Sequence, residues 1–311
     1  MKIVYYLLFI VIFSSSVIAK EEKVSYEKPK FSEFFTKTPD TFKYVFKDSF
    51  SKKAIPTWLK IIASSAVLYY YDEPLIKGVQ KWGRDLGIGN DDKTKTLIKI
   101  GKINILRGPT DLGSLMYFIG DGWTHMTIAA SFLTYGSFNS NNRAMQTGSQ
   151  IFHGMMTSTI VNQISKRSFG RESPYRSSKE RGAWRPFPSP NKYNTDTSKY
   201  DAMPSGHVMT ATMTLTIIDT NYPESSYWVR PLGYSLITLL ALQMMNNSVH
   251  WASDYPLGIG MGYVFGKAVS RYGKKTNEAV NDSVVDNIMI TPIYDIDYQN
   301  SMYGLSATYR F

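Results

Sequence analysis

The chain has 311 residues, a formal net charge of +10 and no cysteine. Without cysteine, a disulfide scaffold, a cysteine nucleophile and thiolate metal sites are all excluded. The excess of positive charge favours partners that carry phosphate or anionic lipid over nucleic acid, because no stretch of basic and aromatic residues has the pattern of a nucleic-acid-binding surface.

Residues 1–19 have the pattern of a secretory signal peptide. Lys2 is followed by an apolar run over 3–13, and small residues precede a predicted cleavage after Ala19. An uncleaved anchor helix is the alternative, although the apolar run is shorter than the roughly 20 residues that a span needs. We therefore expect an exported protein of the periplasm or cell envelope.

Residues 20–54 form a polar, lysine-rich segment with many aromatic residues. The apolar residues at helical spacing are Phe31, Phe34, Phe35, Phe42, Val45, Phe46 and Phe50. This spacing predicts one or two short amphipathic helices. Such helices either lie on a membrane surface or pack onto the main domain.

Residues 55–275 contain repeated apolar segments that predict a mainly α fold, a helical bundle. The segments cover residues 57–71, 111–136, 145–165, 207–221, 230–249 and 254–270. Only 231–249 is both free of charge and close to spanning length, and the mean hydropathy of −0.22 argues against a fully buried multi-span protein. We expect a bundle that is soluble or sits against a bilayer, with true spans as an alternative.

Two further segments differ from these apolar segments in composition or in the period of their apolar residues. Residues 167–204 are rich in Gly, Pro, Ser and Arg, which predicts a long loop between two helices, and such a loop is uncommon without a function. Residues 276–311 alternate apolar and polar residues with period two, which predicts a short C-terminal β-hairpin.

The first candidate for chemistry is the stretch Pro-Ser-Gly-His at 204–207. Pro204 and Gly206 favour a turn, and Ser205 is a good N-cap for the apolar helix that follows. The start of a helix offers unpaired N–H groups and a positive dipole to a phosphate. His207, in the first turn, could give a proton to a leaving oxygen.

Two further stretches carry residues of the same chemistry. His250 and Asp254 are four residues apart and would share one face of a helix, so that the carboxylate could hold one ring nitrogen of the histidine. Lys166 ends an apolar segment and Arg171 follows it, so both could neutralise a phosphoryl group. Each pattern alone is weak evidence, since such residues also occur as ordinary surface or core groups.

Together these stretches resemble the type 2 phosphatidic acid phosphatase (PAP2) superfamily, which includes bacterial acid phosphatases and vanadium haloperoxidases. The superfamily pattern is Lys-x6-Arg-Pro, then Pro-Ser-Gly-His, then Ser-Arg-x5-His-x3-Asp. Lys166 and Pro174 are in register with the first part, residues 204–207 complete the second, and His250 and Asp254 are in register with the third. The resemblance covers roughly residues 110–270 and implies the helical bundle of this superfamily.

The resemblance also implies a mechanism. His250 would attack phosphorus and form a phosphohistidine, Asp254 would orient it, and His207 would protonate the leaving group. The phosphoryl oxygens would be held by Lys166, Ser205 and the Gly206 N–H. No metal or cofactor is needed in this scheme, and His125 and His153 are expected to be ordinary core or surface histidines.

Two arginines of the superfamily pattern are replaced in this chain. Ser173 stands before Pro174, and Met244 stands six residues before His250, with Gln243 in place of serine. The loss of one oxyanion donor commonly costs about 10²–10³ in rate. We hypothesise that Arg171 supplies the missing charge, with Arg185 and Asn247 as further candidates.

The sequence thus predicts an exported phosphatase that acts on phosphomonoesters or diphosphates. Its substrate is expected to be lipid-linked, of the phosphatidate, prenyl diphosphate or lipid A type, and presented at a membrane surface. The alternative is a catalytically weakened envelope protein that binds phosphate or lipid headgroups. A vanadate-dependent peroxidase is a third interpretation, which the two replaced arginines disfavour.

Overall fold

The computed structural model describes residues 24–101, 103–276, 288–297 and 300–309. The predicted signal peptide, residues 1–19, lies outside the described residues. The larger compact unit spans residues 25–275, and a second unit includes residues 276–311. The mainly α fold class is confirmed, since helices make up most of the larger unit.

The α-helices follow one another along residues 33–269. They are α1 (Glu33–Thr36), α2 (Thr38–Ser49), α3 (Ile55–Asp85), α4 (Leu112–Phe118), α5 (Gly122–Phe138), α6 (Asn142–Phe169), α7 (Pro190–Thr195), α8 (Gly206–Asn221), α9 (Ser226–Asn246) and α10 (Tyr255–Val269). The strands are β1 (Val24–Tyr26), β2 (Thr94–Ile100), β3 (Ile103–Pro109), β4 (Lys274–Thr276), β5 (Ile288–Asp297) and β6 (Asn300–Tyr309).

The C-terminal hairpin is confirmed as the antiparallel pair β5–β6. Ile288 lies opposite Tyr309 at its open end, and Asp297 lies opposite Asn300 at its turn. A second hairpin, β2–β3, was not predicted, although residues 94–100 and 103–109 each carry strand-forming residues around a turn at Gly101. Gly101 takes a φ of +60°, which favours glycine.

The apolar segment 111–136 forms two helices rather than one. The break falls at Asp121, whose Oδ1 accepts the N–H of Trp123 at 2.7 Å and so caps α5. This N-cap satisfies a backbone donor that the start of a helix leaves unpaired. The Gly-Asp-Gly sequence at 120–122 is therefore a helix-breaking turn.

Helix α8 is the central helix of the bundle, with α6, α9 and α10 packed around it. Glycines at every fourth position of α10 let its backbone approach α8 closely. A Cβ on Gly258 would lie 2.8 Å from the carbonyl oxygen of Ser205, and one on Gly262 would lie 2.3 Å from that of Met209. Side chains at these positions would push the two helices apart, so the glycines fix the place where α8 begins.

Helix α2 packs onto the bundle through one face. Thr41 is fully buried, and its hydroxyl lies 2.8 Å from Nε2 of His153 on α6. The opposite face exposes Phe46 and Phe50, whose ring centroids are 4.6 Å apart. Of the two interpretations of this segment, packing onto the domain accounts for the buried face, and membrane contact of the exposed face stays a prediction.

Within the described ranges, none of the helices combines the length and the apolarity that a membrane crossing requires. This holds for α9, which covers most of the charge-free segment 231–249.

Candidate active site

The turn at 204–207 places Ser205 and Gly206 at the start of α8, as predicted. Ser205 is the N-cap of α8, and its Oγ accepts the N–H of Val208 at 3.5 Å. A Cβ on Gly206 would lie 2.8 Å from Nδ2 of Asn162 and 3.9 Å from Cε of Lys166, both on α6. The start of α8 and the predicted phosphate-binding lysine are therefore neighbours.

Lys166 is held close to the end of α6. Its residue is only 7% exposed, and its Nζ donates to the carbonyl oxygen of Asp201 while lying 3.6 Å from Oδ2 of the same residue. These two contacts bring the lysine ammonium to the chain just before the turn at 204–207. A fixed cation at this point suits a phosphoryl group.

His207 lies in the first turn of α8, half-buried, with its ring centroid 4.9 Å from that of Tyr117. Burial, together with the neighbouring His250, Lys166 and His125, lowers the pKa of His207 to about 3. The imidazole is therefore neutral near pH 7 in the protein alone. An anion next to it would oppose this shift, because it would stabilise the charged form.

His250 and Asp254 do not share a helical face, in contrast to the sequence expectation. Helix α9 ends at Asn246, Ser248 takes a φ of +57°, and Asp254 closes a 3-10 turn that leads into α10. The turn between α9 and α10 still brings the two side chains together. Oδ2 of Asp254 lies 3.5 Å from Nδ1 of His250 and accepts the N–H of Trp251 at 2.8 Å.

A backbone hydrogen bond joins the two motifs that carry the histidines. The N–H of Ser205 donates to the carbonyl oxygen of Asp254 at 3.2 Å. Because α8 and α10 begin directly after these two residues, the close packing of these helices also fixes the histidine motifs relative to each other. The three stretches that the sequence singled out thus meet at one end of the bundle.

Arg171 is fully buried, and each of its N–H groups has an acceptor inside the protein. Its NH1 donates to Asp254 Oδ1 and to Ser253 Oγ, both at 2.6 Å, and its NH2 donates to Asp72 Oδ2 at 2.7 Å. The carbonyl oxygen of Arg181 accepts from Nε at 3.3 Å and from NH2 at 2.8 Å. Since a guanidinium has five donors, none remains for a phosphate.

Asp72 is a residue of this site that the sequence analysis missed. It lies within α3 and is fully buried, and its Oδ1 accepts the N–H of Ser253 at 3.0 Å while Oδ2 accepts the Ser253 hydroxyl at 2.6 Å. Burial raises the pKa of Asp72, although hydrogen bonds from Ser253 and Arg171 act against this. In the sequence, the feature that could have indicated a buried carboxylate was an aspartate directly after the aromatic run 69–71.

Residues 148–278 match the family model of the PAP2 superfamily. The resemblance inferred from the motifs is confirmed for this region, which contains Lys166, the 204–207 turn, His250 and Asp254. Asp72 lies outside the matched PAP2 region.

Two individual proteins are also similar to this chain. A lipid A 1-phosphatase of Porphyromonas gingivalis is 25% identical over 158 residues, which make up 45% of this chain. The match spans only 36% of the length of that relative. A transmembrane PAP2 type phosphatidylglycerolphosphate phosphatase from Bacillus subtilis superposes with a TM-score of 0.43 at 16% identity, over 71% of this chain and 96% of that chain.

The position of the second PAP2 arginine is apolar in this chain. Met244 is fully buried and belongs to the same hydrophobic cluster as Val208 and Trp251. Its sulfur lies 3.9 Å from Oγ of Ser205. A methionine at this position supports the start of α8 by packing and supplies no charge.

The remaining candidates for compensation are bound to other protein groups. Arg185 donates through NH1 to the buried carboxylate of Glu172 and through NH2 to Ser178 Oγ at 3.0 Å. Oδ1 of Asn247 accepts a hydrogen bond from Nε2 of Gln243 at 2.6 Å. The side chain of Arg185 is 38% exposed, so it is the more accessible of the two arginines proposed to replace the missing charge.

The two other histidines of the chain are buried in the bundle. Burial lowers the pKa of His125 and that of His153 to about 4 in each case. His153 contacts Thr41, whereas His125 lies near enough to His207 to lower the pKa of that residue. In the part of the chain that the structure describes, no group of three or more His, Asp or Glu side chains is arranged to hold a metal ion.

Proposed function

We propose that this protein is an exported phosphatase that hydrolyses phosphomonoesters or diphosphates through a phosphohistidine intermediate. The observation that carries the proposal is the hydrogen bond from Ser205 N–H to the backbone carbonyl oxygen of Asp254, which joins the Pro-Ser-Gly-His turn to the residue whose carboxylate faces His250. The position of Lys166 next to Gly206 supports the same assignment.

In the first step, Nε2 of neutral His250 attacks phosphorus. The bond between phosphorus and the leaving oxygen breaks, and His207 donates a proton to that oxygen. Asp254 faces the other ring nitrogen of His250 at 3.5 Å and stabilises the positive charge that the phosphohistidine carries. In the second step, His207 accepts a proton from water, the resulting hydroxide attacks phosphorus, and the bond to Nε2 breaks.

His207 must be protonated when the leaving group departs, whereas burial and nearby positive charge lower its pKa to about 3 in the protein alone. A bound phosphate dianion would reverse the effect of Lys166 and would raise the pKa of His207. The substrate thus helps to charge the acid that its own cleavage requires. Lys166, Ser205 and the Gly206 N–H would hold the phosphoryl oxygens.

A lipid-linked substrate at a membrane face is the second part of the proposal. The similar protein from P. gingivalis is named a lipid A 1-phosphatase. The exposed face of α2 carries Phe46 between Lys43 and Lys47, and the exposed Phe50 follows directly after the helix. This mixture of aromatic and basic residues suits an anionic bilayer surface.

The proposal is tested with the mature chain and two substrates, a chromogenic monoester in solution and phosphatidic acid in vesicles. We expect phosphate release from both, inhibition by vanadate, and a loss of at least about 10³-fold in His250→Ala, because removal of a nucleophile leaves only binding and oxyanion stabilisation. Phe46→Ser should lower the rate on vesicles while leaving the rate on the soluble monoester unchanged.

Activity that survives in His250→Ala would contradict the mechanism. A labelled phosphate that remains on the wild-type chain after an alkaline quench, but not on His250→Ala, would identify the phosphohistidine directly.

The alternative function, a PAP2-like protein that binds phosphate or lipid headgroups without turnover, has two observations in its favour. Met244 is fully buried among apolar groups, and all donors of Arg171 are used inside the protein, so neither replaces a missing phosphate ligand. Binding of phosphate without hydrolysis of any phosphoester would establish this alternative.

A further inference from the structure

The Arg171 side chain bridges two fully buried carboxylates, and only one of them belongs to the PAP2 motifs. Asp254 is bound through NH1 and Asp72 through NH2, at 2.6 and 2.7 Å. Ser253 links the same groups a second time, because its hydroxyl contacts both Arg171 and Asp72. Helix α3 is in this way tied to the turn that carries Asp254.

The charges of this cluster have a consequence for His250. One guanidinium shared by two carboxylates leaves a net charge of −1, whereas Arg171 and Asp254 alone would be neutral. Opposite charges at 2.6 Å in a buried site interact strongly, so an arginine with no second partner would hold Asp254 more tightly and cancel its field at the histidine.

We propose that Asp72 is a positioning residue: through Arg171 and Ser253 it fixes Asp254 and preserves the negative charge that Asp254 presents to His250. This inference rests on the proposed phosphatase function and extends it to a helix outside the matched PAP2 region. Asp72 touches neither His250 nor any reacting atom and acts through its neighbours.

Aromatic rings around the Arg171 guanidinium support a positioning role for its ion pair with Asp72. The Arg171 guanidinium carbon lies 5.1 Å from the ring centroid of Tyr69, 5.0 Å from that of Trp184 and 5.3 Å from that of Trp251. These rings exclude water and hold the guanidinium in one place. The direction of its N–H groups is therefore set by the two carboxylates.

The test compares wild type, Asp72→Asn and a matched control, Asp219→Asn. Asp219 also accepts from a serine and an arginine, Ser226 at 2.6 Å and Arg230 at 2.7 Å, but it has no contact with Asp254. Asp72→Asn keeps the shape of the side chain and removes its charge. The control removes an ion pair with the same kinds of partner at a more exposed place on the bundle.

We expect Asp72→Asn to lower kcat by about 10–100-fold, comparable to the loss of an outer partner of a metal-bound histidine, with KM changed less than about threefold. The acid limb of the kcat/KM profile should move to lower pH by about one unit, because loss of negative charge makes His250 harder to protonate. Asp219→Asn should match wild type in all three measurements.

The other groups around His250 stay unchanged in this comparison. They are Tyr255, whose ring centroid lies 6.3 Å from that of His250, and His207, which has both His250 and Lys166 as neighbours. A residue that only stabilises the fold would lower the amount of active protein without moving the acid limb. An unmoved acid limb together with wild-type kcat in folded Asp72→Asn would overturn the proposal.

Two further measurements keep the test decisive. The titration midpoint of the His250 imidazole, followed by NMR, should fall in Asp72→Asn even if the wild type hydrolyses no phosphoester, so failure of the proposed function is separated from failure of this inference. If Asp72→Asn does not fold, Ser253→Ala carries the test with an expected kcat loss of about tenfold. Wild-type kcat in that variant would contradict the inference.

Discussion

Single residues explain why the PAP2 pattern is only partly kept. Arg171 stands near the expected phosphate-binding arginine in sequence, yet its five donors are committed to Asp254, Asp72, Ser253 and the Arg181 carbonyl. The second arginine position is filled by Met244, which packs beneath Ser205. Both Arg171 and Met244 support the geometry of the site from within the core.

Restoring the superfamily arginine at Met244 should therefore harm the protein. In Met244→Arg, a guanidinium enters an apolar cluster, and the buried carboxylate of Asp254 is already paired with Arg171, so we expect a loss of roughly 3–5 kcal/mol of unfolding free energy without a gain in phosphatase activity. Met244→Leu is the matched control and should cost less than about 1.5 kcal/mol.

Urea unfolding and the chromogenic assay measure both effects. A soluble Met244→Arg variant with a higher kcat/KM than wild type would show that the site lacks a phosphate ligand that arginine can still supply.

At the scale of elements, the path of the loop that follows α6 is set by the residue at the end of that helix. Gly170 ends α6 with a φ of +56° and donates its N–H to the carbonyl oxygen of Lys166 at 2.8 Å. Its carbonyl oxygen in turn accepts the N–H of Arg185 at 2.7 Å. This left-handed residue turns the chain inward, so that the next residue, Arg171, enters the core.

The substitution Gly170→Ala tests this turn. A Cβ there would lie 1.9 Å from the carbonyl oxygen of Arg185, and we expect a loss of roughly 2–5 kcal/mol from backbone strain and overpacking, together with a fall in activity. Gly87→Ala is the control, since Gly87 has a φ of +66° with no atom within 4 Å of its Cβ position, and it should lose only about 1–2 kcal/mol.

Urea midpoints at one pH compare the two variants directly. Equal losses in Gly170→Ala and Gly87→Ala would mean that the contact with Arg185 relaxes at no cost, and that the loop is held by other contacts.

At the scale of the whole molecule, buried histidines make stability depend on pH. The folded-state pKa values of His125 and His153, about 4 for each, lie below the ordinary value of 6.5. Lowered values mean that folding favours the neutral imidazole, whereas the unfolded chain takes up a proton near pH 6.5. Their contribution to stability is therefore present above pH 6.5 and is lost as the pH falls towards 4.

His153→Gln should reduce this acid sensitivity. Glutamine can still bind Thr41 but does not titrate, so the loss of unfolding free energy between pH 7 and pH 4 should be smaller than in wild type by about 1–2 kcal/mol, after allowance for solvent screening. Chemical unfolding at the two pH values measures the difference. An identical loss in both proteins would show that His153 does not contribute to acid unfolding.

The sequence by itself determined the helical fold class, the C-terminal hairpin and the residues of the three PAP2 motifs, because each of these depends on residues that lie close together in the chain. Helical periodicity predicted the bundle, period two predicted β5–β6, and Pro-Ser-Gly-His predicted the start of α8. The β2–β3 hairpin was missed, although its alternating residues were present in the chain.

Only the tertiary structure decided where the charges go. Asp72 and Arg171 are 99 residues apart in the chain, and no local pattern links a carboxylate in α3 to an arginine after α6. A buried guanidinium needs partners wherever the fold can supply them, and the fold supplies Asp72 and Asp254. The spacing of His250 and Asp254 had predicted a shared helix. In the structure, a turn after α9 and the packing around it bring the two side chains together instead.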